Sequence, residues 1–162
     1  MPLRWKLFRI LCIFQLILVS FVLIRLMLTH FLPFRVITLL LGLVYLLAFL
    51  LAALGGTLIN SNYPDTPVVG PQKRWFNRLF LLNFLMLSVH FGRVIADIRS
   101  LQRILDLFDF AHASVPWRVW AELSLNPVML IFQLLILFGL YKLRRELSAN
   151  FAARSFEFEK PQ

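Results

Sequence analysis

Asn83, His90 and Asp97 recur at seven-residue spacing in a stretch that begins almost wholly apolar. Seven residues bring an α-helix back to nearly the same face, with a drift of about 20°. One stripe of this helix therefore carries an amide, an imidazole and a carboxylate. An imidazole beside a carboxylate can hold or relay a proton, and Arg93 stands one turn before Asp97 as its i, i+4 partner.

Arg25 lies in a different apolar run, where a charge is costly, about 2.5–3.5 kcal/mol at mid-helix, unless it finds a partner or water. At 1.5 Å per residue, Arg25 falls about 27 Å along its helix from Leu7, while His90 and Asp97 fall about 21 and 32 Å from Phe76. With both helices starting on one side, these residues share a depth, and Glu122 enters from the same end. The expectation is a polar cluster of Arg25, His90, Arg93, Asp97 and Glu122. Snorkelling accounts for Arg25 equally well, and a solvated interface pair accounts for Arg93 and Asp97.

Other chemistry finds less support. The sequence holds no Gly-rich phosphate loop, no Gly-x-Ser-x-Gly and no His-Glu-x-x-His, so no catalytic residues are expected. The histidines are His30, His90 and His112. Haem b would need two at matched depth, and only a weak His30–His90 pair is available, so no cofactor is expected and haem b is the minor alternative. No His/Cys/Asp/Glu set has the spacing of a metal site. Cys12 is the single cysteine, which excludes an internal disulfide and leaves packing, with palmitoylation as the lesser reading. Asn83 and Gln133 suit interhelical hydrogen bonding.

Four elements must position these residues. The chain is 60% hydrophobic, with mean hydropathy +0.78, against about 45–50% apolar in a soluble domain. The excess is gathered in long runs. We read an all-α membrane protein with four transmembrane helices near 7–32, 34–59, 75–97 and 117–143. They form a single domain over 1–162, with a polar tail at 146–162. Arg4, Lys6 and Arg9 precede the first run, which is too long for a signal-peptide core. Pro33 separates the first two runs. In the second, Ala48, Ala52 and Gly56 form a small-residue stripe that allows close helix approach. Asn60 to Arg74, with three prolines, reads as a loop. Between helices three and four, Val94, Ile98, Leu101, Leu105 and Phe108 follow helical spacing among charges. The expectation there is an amphipathic helix over 94–110, continuing helix three or bending onto the membrane surface. Pro127 falls inside the fourth segment and is expected to kink it.

The net charge is +9. Lys and Arg flank apolar runs, where they set orientation and meet anionic headgroups; no basic stripe with interleaved aromatics suggests nucleic acid as a partner. The N-terminus, the Pro-rich stretch and the C-terminal tail together hold 11 of the 17 basic residues. The positive-inside rule then places both termini in the cytoplasm, and helical spans suit a bacterial inner membrane. The expected partners are the lipid bilayer and other membrane subunits. The expected role is a structural or accessory subunit of a larger complex. A small transporter or proton-conducting module built on the Arg/His/Asp cluster is the alternative, and a haem-bearing electron carrier the lesser one.

Overall fold

The computed structural model describes residues 1–30, 36–107 and 117–158. Four helices account for all of them but 1–2 and 63–69: α1 (Leu3–His30), α2 (Val36–Asn62), α3 (Gly70–Leu107) and α4 (Trp117–Phe158). Each contains a stretch long and apolar enough to cross a membrane, at Leu3–Leu28, Thr38–Asn62, Gly70–Arg103 and Leu123–Ser155. The all-α, four-helix architecture expected from the hydrophobic runs is the one found. Ile10, Phe21, Phe84 and Phe138 are each more than half exposed, an exterior that suits lipid as the solvent.

α1 packs on α2 and α4, and α3 packs on the same two; among the described residues the backbones of α1 and α3 do not approach closely, while α2 and α4 meet across the centre. The bundle is therefore a ring of four with α2 and α4 on the short diagonal. At the end carrying both termini, the core holds Trp5, Phe8, Cys12, Leu58, Phe76 and Leu147. Toward the opposite end it passes to Val19, Val22, Tyr45, Ala48 and Met129.

Small residues set the close approach. Ala48 and Ala52 are buried. A Cβ on Gly55 would come 2.9 Å from Cys12 Sγ, and one on Gly139 would overlap the Phe8 ring. Gly56 faces open space, so the tight contact expected there falls at its neighbour Gly55.

Two boundaries differ from the sequence expectation, and a third resolves between two expected courses. The loop expected over 60–74 shrinks to 63–69, because α2 runs on to Asn62 and α3 begins at Gly70. Hydroxyls of Thr57 and Ser61 bond back to the carbonyls of Ala53 and Thr57, so these polar residues extend α2. The Asn62 amide bonds the Thr66 carbonyl at 3.2 Å and pairs with Gln72. Gly70 adopts φ 57°, a region open to glycine, and delivers the chain to Pro71 in the first turn of α3, where a missing N–H is harmless.

Second, of the two courses expected for the amphipathic segment, the structure takes the first: residues 94–107 continue α3 without a break. No proline or glycine lies between Arg93 and Leu107 to end it. Residues 108–110 of the expected amphipathic segment lie outside those described. Third, the C-terminal tail is helical as far as Phe158, and α4 runs unbroken through Pro127. Leu147 is fully buried, the Asn150 amide donates to the Pro64 carbonyl at 2.6 Å, and Arg154 pairs with Asp65. The tail thus docks on the α2–α3 connection.

Candidate functional site

The polar groups of the bundle gather in two connected sets, one inside it and one toward the end remote from the termini. Asn83, on the side of α3 facing α2 and α4, is fully buried. Its Nδ2 donates to the Leu47 carbonyl of α2 at 3.0 Å and to the Leu79 carbonyl one turn earlier at 2.9 Å. Carbonyls only accept, so the orientation of this amide is fixed. Asn83 Oδ1 is then an acceptor, and Gln133 Nε2 from α4 donates to it at 3.0 Å. The remaining Gln133 atom, Oε1, lies 2.9 Å from His90 Nδ1.

An amide oxygen cannot donate, so His90 Nδ1 must carry the proton. The neutral imidazole is held as the Nδ1–H tautomer, with its lone pair on Nε2. That nitrogen is buried and has no hydrogen-bond partner among the described residues. The His90 ring meets the Tyr45 ring edge-on, with centroids 5.9 Å apart.

Tyr45 begins the second set. Its hydroxyl donates to Asn126 Oδ1 at 2.9 Å, and Asn126 Nδ2 donates to Asp97 Oδ2 at 2.5 Å. Asp97 Oδ1 accepts from Arg93 Nε at 3.2 Å. The Arg93 side chain is 45% exposed and that of Asp97 14%, so the set runs from the surface to the ring beside His90. α2, α3 and α4 are each tied into both sets.

The structure brings His90, Arg93 and Asp97 of the expected cluster onto one side of α3. Arg25 is exposed on α1, a helix with no close backbone approach to α3 among the described residues, and it is engaged in an interaction. Glu122 belongs to α4, and its side chain lies outside the described residues, as do those of His30 and His112. Asn83 and Gln133 occupy the bridging positions their types suggested.

Tyr45 and Asn126 escape a reading of the sequence. Tyr45 is the single polar side chain between Thr38 and Thr57 on α2, and that isolation is the available signal. Asn126 resembles part of a helix boundary because Pro127 follows it. A further buried amide, Gln15 on α1, has neither polar atom bonded among the described residues. Leaving such a group unsatisfied costs about 1–3 kcal/mol.

Chemically, the site offers one imidazole lone pair, a phenol and a surface-connected carboxylate. Among the described residues no three His, Cys, Asp or Glu side chains are grouped to hold a metal ion. No known protein family, curated protein or solved structure matches this chain.

Proposed function

We propose that this protein is a non-catalytic, multi-pass membrane subunit that packs into a larger membrane assembly, with both termini in the cytoplasm of a bacterial inner membrane. The observation that carries the reading is the length of α3. Its 38 residues span about 57 Å at 1.5 Å per residue, against about 30 Å of bilayer hydrocarbon. Beyond the Arg93–Asp97 pair the helix continues as an arm. Ile98 is 50% exposed there, between the exposed Arg99, Gln102 and Arg103. An amphipathic arm whose Ile98 is left exposed among the described residues suits a neighbouring subunit. The interior supports the same role, since Asn83, Gln133 and Asn126 bond helix to helix. The orientation rests on the excess of basic residues at the termini end.

The test is the size of the tagged protein extracted from native membranes in mild detergent. The expected result is a discrete species larger than one chain, which collapses when Ile98→Asp is introduced into the arm. A homogeneous single chain, unchanged by that substitution, overturns the reading.

A second reading rests on His90. Its Nε2 is buried with no hydrogen-bond partner among the described residues, and its ring meets Tyr45; with Asp97 partly exposed, this suits a proton-binding element of a conducting module. Proton flux into liposomes that vanishes in His90→Leu supports it; flux equal to that of empty liposomes refutes it.

A further inference from the structure

At the termini end, residues of α3 and α4 line a cavity of about 420 Å³. We propose that this groove binds an anionic glycerophospholipid, with its phosphate at Arg144 and Arg145 and an acyl chain along Phe80 and Tyr141.

The groove lies at the right height. The apolar run of α3 starts just past Asn77 and Arg78, and that of α4 ends at Leu143. Asn77, Arg144 and Arg145 line the cavity where both runs give out, which is headgroup level. Phe80 and Tyr141 also line it, each about one turn deeper.

The cationic side is also preorganised. Arg144 Nη1 donates to Asn77 Oδ1 at 2.7 Å, and the guanidinium lies 5.1 Å over the Phe76 ring. Phe76 is itself stacked on Phe80, with centroids 5.7 Å apart. Arg144 is thus held in place before any anion arrives, which removes much of the ordering cost of binding. Arg145 is exposed and, among the described residues, has no acidic partner. No carboxylate among the described residues lines the cavity.

The groove between α1 and α4 provides a contrast at the same height. It encloses about 240 Å³ and includes Arg4 and Lys142, but also Glu146. That carboxylate accepts from Arg4 at 2.8 Å and from Trp5 Nε1 at 3.0 Å. Its cationic charge is already partly answered, so the anion belongs to the α3–α4 side. Basic pockets between membrane helices are where acidic headgroups settle. The deeper aromatic wall favours a lipid phosphate over a free one, since only a lipid brings a chain to cover it.

The full-length protein in nanodiscs of mixed phosphatidylglycerol and phosphatidylcholine, read by native mass spectrometry of retained lipid, tests this. Phosphatidylglycerol should be retained preferentially. Arg145→Gln should cut the preference about five-fold, the equivalent of about 1 kcal/mol for one basic residue at an anionic surface. Arg145→Lys should keep most of it. Arg9→Gln, an exposed cation on α1 off the groove, should leave it intact. Equal losses in Arg9→Gln and Arg145→Gln, or no preference at all, overturn the proposal. Displacement of the lipid by excess inorganic phosphate also overturns it, in favour of a site for soluble anions.

Discussion

Asn83 fixes the proton on His90 without touching it. Two backbone carbonyls hold its Nδ2, Gln133 carries the constraint across α4, and Nδ1 of the imidazole is the only place left for a donor. In lipid, polar side chains of neighbouring helices act as links because the alternative is an unsatisfied group in hydrocarbon. Here the link also sets chemistry.

The imidazole tautomer should therefore respond to a residue two hydrogen bonds away. Solid-state ¹⁵N spectra of labelled His90 should report the Nδ1–H form. In Asn83→Leu, Gln133 is free to turn its amide, and the Nε2–H form should become populated. A wild-type protein in the Nε2–H form would show that the relay is misdrawn.

The same chain of bonds should be measurable as coupling energy. Asn83→Leu and Gln133→Leu, alone and together, form a double-mutant cycle in detergent unfolding. The coupling should be about 0.6 kcal/mol and no more than about 1.7, the average and upper value for interhelical hydrogen bonds in a membrane protein. Additive effects would mean the two amides do not support one another.

Glycines that look alike in sequence should behave in opposite ways. A methyl at Gly139 meets the Phe8 ring, whereas one at Gly56 meets nothing. Gly139→Ala should destabilise by about 1–3 kcal/mol through overpacking. Gly56→Ala should be neutral or stabilise by about 0.5–1 kcal/mol, the helix preference for alanine. Thermal melting in detergent distinguishes them, and Phe8→Leu should restore much of the loss in Gly139→Ala.

The number, type and order of the elements are legible in the sequence because hydrophobic runs of membrane length form little besides spanning helices. The ends are not. Ser61 and Asn62 look like loop residues, yet each finds a hydrogen bond that lets α2 continue. The tail from 146 onward reads only as polar, because what holds its helix is distant in sequence: Asn150 and Arg154 meet the α2–α3 connection. The stripe of Asn83, His90 and Asp97 is visible as a period on one helix. Its partners Tyr45 and Asn126 are not, because the pairing of α2 with α4 leaves no local trace. Shared depth is a property of each helix separately and does not tell which helices are neighbours; α1 makes its close backbone contacts with α2 and α4.

The helical tail should be held by its apolar contact more than by its charges. Leu147 is fully buried, so Leu147→Ala should cost about 2–5 kcal/mol. The Arg154–Asp65 pair is 60% and 24% exposed, and Arg154→Ala should cost no more than about 1 kcal/mol. Limited proteolysis of the tail gives the order directly, and a larger effect from Arg154→Ala would reverse it.

Four crossings with both tails on one side can be checked by topology mapping more directly than by any other means. Alkaline phosphatase and fluorescent-protein fusions at residue 1, within 63–69, within 108–116 and at residue 162 place four points of the chain. The two termini and the 63–69 connection should share the cytoplasmic side, and 108–116 should lie across the membrane. Termini on opposite sides, or a connection at 63–69 that reports with 108–116, would contradict the four-span arrangement.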